Sequence, residues 1–230
     1  MTKMSITYSR NNICAVTILL LNFTAISHPL SETQKREILD IHKKYRNNLG
    51  WKDRTGTRFS GQVQNMRVLN WDSRLEETAE EVAGLCRRTH IGLYGPRGGL
   101  LENEIGPIGE NLYFADGFSE DRNVVALVNK WYSEVHKYEW ENHSCRDDVH
   151  YLNFTQMIWA DSEILGCAQA RCEDSEQTEV STKFVCHYGP TGNVFNQVPF
   201  QSAPNNDADN ICTEPGLVID EVYPKCCSEI

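Results

Sequence analysis

The residues able to do chemistry in this chain are nine cysteines, seven histidines and a few carboxylates in distinctive surroundings. Their spacing makes no hydrolase signature: there is no Gly-x-Ser-x-Gly elbow and no His-Glu-x-x-His. Glu110 and Glu134 are a candidate carboxylate pair for acid–base work, with no adjacent nucleophile to complete them. A zinc ribbon needs paired Cys-x-x-Cys elements, and none occurs, so the cysteines read as disulfide formers. The segment Leu112-Tyr113-Phe114-Ala115-Asp116-Gly117-Phe118 carries three aromatics and runs into polar Ser119, Glu120 and Asp121. It reads as a loop with an apolar tip. The competing reading packs Tyr113 or Phe114 into the core as a strand and leaves Phe118 at the tip.

The elements that must position these residues belong to one domain with extensions, since the chain has 230 residues, 40% of them hydrophobic and 23% charged. That length supports a true hydrophobic core. The net charge of −10 argues against a nucleic-acid binder, which needs a basic face to displace phosphate counterions.

The odd cysteine count is resolved at the N-terminus. Lys3 and Arg10 precede an apolar run from Ile13 to Phe23, and Ala25-Ile26-Ser27 follows with small residues where a signal peptidase reads. This is a secretory signal at 1–27, too short in its apolar part to span a bilayer. Cleavage after Ser27 removes Cys14, Lys3 and Arg10, taking nine cysteines to eight and the net charge from −10 to −12. The expected location is therefore secreted and extracellular.

Ser31 and Gln34 make a capping box for a first helix in which Ile38, Ile41, Tyr45 and Leu49 repeat and which Gly50 stops. A second helix begins near Asp72, with Leu75, Ala79, Val82 and Cys86 on one face and Glu76, Glu77, Glu80 and Glu81 on the other. A third spans Val124 to Tyr138, and a short fourth Asn153 to Trp159, with Asn153 and Thr155 as candidate caps. Residues 51–65 and 91–109 read as loops, and Asn111 to Phe114 as a short strand. Leu165 to Cys172 and Lys183 to Tyr188 read as strands of a hairpin. The tail from about Val194 has no periodicity and reads as an extension pinned by disulfides. Helices flanking a small sheet imply a layered α+β domain.

Four segments, in order, resemble the CAP superfamily of cysteine-rich secretory, venom-allergen and pathogenesis-related proteins. They are His42-Lys43-Lys44-Tyr45-Arg46, Gly109-Glu110-Asn111-Leu112, Phe154-Thr155-Gln156-Met157-Ile158-Trp159 and Cys186-His187-Tyr188-Gly189-Pro190-Thr191-Gly192-Asn193. Gly166-Cys167-Ala168 lies between the last two. The resemblance spans roughly 31–195 and is closest to the secreted venom-allergen-like proteins of parasitic worms. It implies a three-layer α-β-α sandwich with a small antiparallel sheet over 28–195, followed by a cysteine-bearing extension over 196–230.

The resemblance also implies a surface cleft with two His and two Glu. Carried over, these positions are His90, Glu110, Glu134 and Asn153, where Asn153 stands in place of the second His. Two neutral imidazoles can hold zinc, but an amide oxygen is a far weaker ligand, so the metal site reads as damaged, with His90 its one remaining imidazole. His150, three residues upstream, is an alternative ligand. His42 and Arg46 are expected to brace the first helix against the core. By resemblance Cys86 pairs with Cys172 and Cys167 with Cys186. Cys145, Cys212, Cys226 and Cys227 remain, and strained vicinal geometry disfavours a Cys226–Cys227 bond.

In the resembled family an aromatic loop at Tyr113, Phe114 and Phe118 is linked to sterol binding, and an apolar groove between helices to fatty acids. The expected function is thus lipid carriage at a host interface, with no required cofactor. The alternatives are a binding module for host extracellular proteins and a metal-dependent hydrolase. Two sequons follow the signal: Asn142 is the expected glycan site, and Asn153, at the cleft, is expected bare.

Overall fold

The structure, a computed structural model, describes residues 4–7, 15–18, 26–49, 62–90, 105–139, 144–145, 152–173, 179–203, 217–219, 221 and 227–229. Gly50, Asn142, His150, Cys212 and Cys226 lie outside them, as do most of the expected signal segment and of the 91–109 loop.

Three strands, β1 (Met4–Thr7), β2 (Ala15–Ile18) and β3 (Ile26–His28), precede helix α1 (Glu32–Asn47). Ser31 caps α1 with both bonds of the expected box: its hydroxyl accepts from the Gln34 backbone, and the Gln34 side chain accepts from the Ser31 backbone. Strands β4 (Gln62–Gln64) and β5 (Asn70–Trp71) lead to α2 (Ser73–Gly84), N-capped by Asp72. Then come β6 (Gly109–Asp116) and α3 (Val124–Tyr132), capped by Asn123. The expected third helix tightens early into a 3₁₀ turn over Ser133–Lys137, so Glu134 lies past the α-helix. Short strands β7 (Tyr138–Glu139) and β8 (Ser144–Cys145) precede α4 (Leu152–Met157). Asn153 and Thr155 are therefore inside α4 and are not its caps.

The long hairpin β9 (Ile164–Glu173) and β10 (Val180–Gly189) is the centre of the main sheet. Strand β6 pairs with β10, and β3 with β9, both antiparallel. Strand β5 pairs with β9 in parallel, so the sheet is mixed where a purely antiparallel one was expected. The tail is also more ordered than its composition implied. β11 (Gln201–Ala203) pairs with β4, and β12 (Leu217–Ile219) with β13 (Cys227–Glu229). The Cys227 backbone bonds to Met66 and Val68, tying the chain end to the body.

Alternation along the strands divides the core into two faces. On one face Ala79, Val82 and Ala83 of α2 pack on Ala168, Ala170 and Val185. Gly166 permits this approach: a Cβ there would run into the backbone of the first turn of α2. The other face packs α1, α3 and α4 over Leu165, Cys167, Phe184, Cys186 and Tyr188, with Trp131 stacked on Phe184 at 5.2 Å. This is the expected three-layer sandwich. Cys86–Cys172 and Cys167–Cys186 are both formed. Cys227 is also disulfide-bonded, to a cysteine whose side chain lies outside the described residues.

Candidate functional site

Two motif residues of α1 build a buried frame. The Arg46 guanidinium, 1% exposed, donates to the carbonyls of Arg67, Met157, Trp159, Ala160 and Ser162, at 2.6 Å to Arg67 and Trp159. It thereby satisfies the end of α4 and the turn after it, which have no helical donors left. His42 makes a buried relay. Its Nδ1–H donates to the Ile38 carbonyl at 2.7 Å, and its Nε2 accepts from the Tyr188 hydroxyl at 2.9 Å. Asn111 Nδ2 donates to that hydroxyl oxygen and to the Asn153 carbonyl. Burial, with the Arg46 charge adding to it, holds the His42 imidazole down at about 4 against the pull of the Ile38 carbonyl. Burial likewise pushes the Tyr188 hydroxyl up.

The four cleft residues fall into two pairs. His90 Nδ1 lies 2.7 Å from Glu110 Oε1, and Asn153 Nδ2 donates to Glu134 Oε1 at 2.8 Å. Glu134 Oε2 accepts from the Phe154 backbone at 3.1 Å. The amide orientation is fixed by chemistry, because an ionised carboxylate only accepts. It also occupies the Asn153 nitrogen that a glycan would need.

A third imidazole joins the first pair. His187 Nε2 sits 3.3 Å from Glu110 Oε2, and its Nδ1 is 2.7 Å from the Thr78 hydroxyl, which also reaches the Leu75 carbonyl. The register pairs His187 with Glu110 across β10 and β6, on the α2 face of the sheet. In the sequence His187 stands out only as part of the Cys186–Asn193 motif. Period-two alternation from Val185 would have assigned it to this face. Burial alone would raise the Glu110 carboxyl, but bonds and charge from His187 and His90 outweigh that and hold it at about 2.

Thr78, His187 and Glu110 repeat the hydroxyl–imidazole–carboxylate order of a hydrolytic triad. Thr78 is only 6% exposed, within α2, with its hydroxyl directed at its own helix backbone. It is not presented to a substrate. The residues do not fit a two-histidine zinc site either. Both Glu110 oxygens face imidazoles, both Glu134 oxygens hold donors, and the residue at 153 turns a donor toward Glu134. Among the described residues no three His, Cys, Asp or Glu side chains are grouped to hold a metal.

The aromatic run divides three ways. Tyr113 and Phe114 belong to β6 and not to a loop. Tyr113 packs against the larger core cluster, and Phe114 lies on the opposite face with the Arg88 guanidinium 4.6 Å above its ring. Only Gly117 and Phe118 start the connection to α3. Phe118 is half-buried against the His28 ring at 4.4 Å and belongs to neither core cluster. The connection is held by Gln34 Nε2 on the Glu120 and Arg122 carbonyls and by Thr182 on Gly117. His28 Nδ1 lies 3.2 Å from Glu120.

The model of the CAP, cysteine-rich secretory protein, family matches residues 39–188. The chain is 30% identical to bovine (Bos taurus) peptidase inhibitor 16 over 75% of its own length, and spans 32% of that longer protein. It is 32% identical to pathogenesis-related protein 1 of Arabidopsis thaliana, over 57% of this chain and 70% of the relative. Among solved structures, Schistosoma mansoni venom allergen-like protein 4 superposes with a TM-score of 0.53 at 25% identity, covering 76% of this chain and 98% of that one.

Proposed function

We propose that this chain, which belongs to the CAP family of cysteine-rich secretory proteins, is a lipid-binding protein that acts outside the cell and carries a sterol or fatty acid. The observation that carries the reading is Phe118. It is a large apolar side chain at a loop tip, absent from both core clusters and seated on one imidazole. Such a ring gains more by covering a ligand than by facing water. Its loop joins β6 to α3 and is tethered to the first turn of α1 through Gln34. The helix pair α1–α3, stacked through Tyr45 and Tyr132, is the seam assigned to an acyl chain.

Secretion rests on the charged and apolar pattern of residues 1–27 and on disulfides that persist in an oxidising compartment. No helix among the described residues is long and apolar enough to cross a membrane. Under this reading Asn142 carries the glycan, and of Cys226 and Cys227 one pairs with Cys145 and the other with Cys212.

Phe118→Ala tests the assignment with a fluorescent sterol titrated into purified protein. Losing roughly 60–80 Å² of covering ring weakens binding by about 1.5–2 kcal/mol, or roughly tenfold to thirtyfold. An unchanged Kd removes Phe118 from the site. One observation favours a second reading, contact with a host protein. Phe195 is 88% exposed on the turn after Asn193, with Leu152 and Val198 also exposed.

A further inference from the structure

Tyr45 of α1 and Tyr132 of α3 lie ring on ring, with centroids 3.5 Å apart and planes 6° from parallel. Aromatic pairs left to their own quadrupoles settle offset or edge-on, with centroids about 4.5–7 Å apart. Neighbouring groups hold this pair closer. The Tyr45 hydroxyl donates to Asn129 Oδ1 at 2.6 Å, and Asn129 lies three residues before Tyr132 on the same face of α3. Tyr132 in turn packs edge-on with Phe154 of α4, at 5.6 Å between centroids. Both tyrosines rest against the larger core cluster and both are only half-buried, so they are fixed in place without being sealed from solvent. Tyr138 and Tyr188 sit instead against Phe154 and His42, which are not phenols.

We infer that Tyr45 and Tyr132 form an oxidative modification site, at which a haem peroxidase using hydrogen peroxide joins the two rings as dityrosine. Each phenol gives up one electron and its hydroxyl proton and becomes a phenoxyl radical. Much of the unpaired spin lies on the Cε carbons, ortho to the oxygen, and two rings in face-to-face contact couple there without leaving their helices. A Cε–Cε bond forms. The hydrogen on each of those two carbons then moves to the neighbouring oxygen and restores the phenol. The two electrons and two protons released reduce one peroxide to two waters. Both groups start in the protonated form that this chemistry uses. Burial raises the Tyr45 phenol, and burial together with the adjoining Tyr45 pushes Tyr132 up to about 12. The product ties α1 to α3 covalently across a long stretch of sequence, and such a tie restricts the unfolded chain as a disulfide does. The inference does not depend on the lipid reading.

The test treats full-length secreted protein with a haem peroxidase and one equivalent of hydrogen peroxide, and follows dityrosine fluorescence and the peptide map of the monomer. The expected product is a monomer lighter by two hydrogen atoms, in which the peptide holding Tyr45 is linked to the peptide holding Tyr132. Tyr45→Phe and Tyr132→Phe keep the ring and its packing and each lose that link, whereas Tyr113→Phe retains it. With its disulfides intact, the linked protein unfolds at a higher urea concentration than the untreated one. A monomer that gains no dityrosine overturns the inference, as does coupling at other tyrosines in place of this pair or coupling only between molecules. An unchanged urea midpoint in the linked protein overturns its role as a tie between α1 and α3.

Discussion

Replacing Arg46 with methionine is expected to cost the fold about 3–5 kcal/mol, a large share of the roughly 5–15 kcal/mol that stabilises a folded domain. The side chain is buried, and its guanidinium serves five carbonyls from two separate segments, Arg67 on one side and 157–162 on the other. Methionine fills much of the volume and satisfies none of them. Arg46→Lys recovers little, because an ammonium lacks the planar fork that reaches several acceptors at once. Urea denaturation of the disulfide-intact protein measures the loss as a shifted midpoint. A loss under about 1 kcal/mol would mean that the carbonyls find other donors, and Arg46 would not be the brace of α4.

The second large effect is on acid stability. The His42 imidazole sits at about 4 in the fold, against an ordinary value of 6.5. Below pH 6.5 the unfolded chain takes up a proton that the folded protein refuses. Stability from His42 is thus complete above pH 6.5, falls as the pH drops, and is exhausted near pH 4. The integrated loss is about 3 kcal/mol, since one unit corresponds to about 1.4 kcal/mol. Glu110, held at about 2 against 4.5, acts later: its contribution is present above pH 4.5 and disappears as the pH falls through 2. Denaturation midpoints at pH 7, 5.5 and 4 should therefore decline steeply. His42→Gln, weaker at pH 7, should decline much less over that interval. A parallel decline in both proteins would place the acid sensitivity elsewhere.

The parts of this fold governed by local rules were legible. The Ser31–Gln34 box starts α1 at the expected residue, and the β9–β10 hairpin falls within two or three residues of its apolar runs. Strands of two or three residues, such as β3 and β5, carry no period and exist only through pairing with β9. The third helix ends at Tyr132 because residues beyond it tighten into a 3₁₀ turn, and that turn sets the angle at which Glu134 meets α4. The exchange at Asn153 was visible as a residue type, but its consequence was not. A donor facing Glu134 converts that half of the cleft into a tie between the 3₁₀ turn and α4. His187 escaped because facing Glu110 is a property of register. The loop reading of Tyr113 and Phe114 fails and the strand reading of Asn111 to Phe114 holds, because three aromatics near a glycine look alike in sequence, while the strand continues through all but the last.

The buried frame of His42, Arg46 and Tyr188 is one part of the molecule, and the loop of Phe118 is another. The proposed lipid carriage depends on the loop. Native mass spectrometry of the protein secreted from eukaryotic cells tests it most directly. The account predicts a chain beginning at His28, carrying a sterol or fatty-acid adduct and no zinc, and taking up added cholesterol at a stoichiometry of about one. A ligand-free protein that takes up neither cholesterol nor oleate would contradict it.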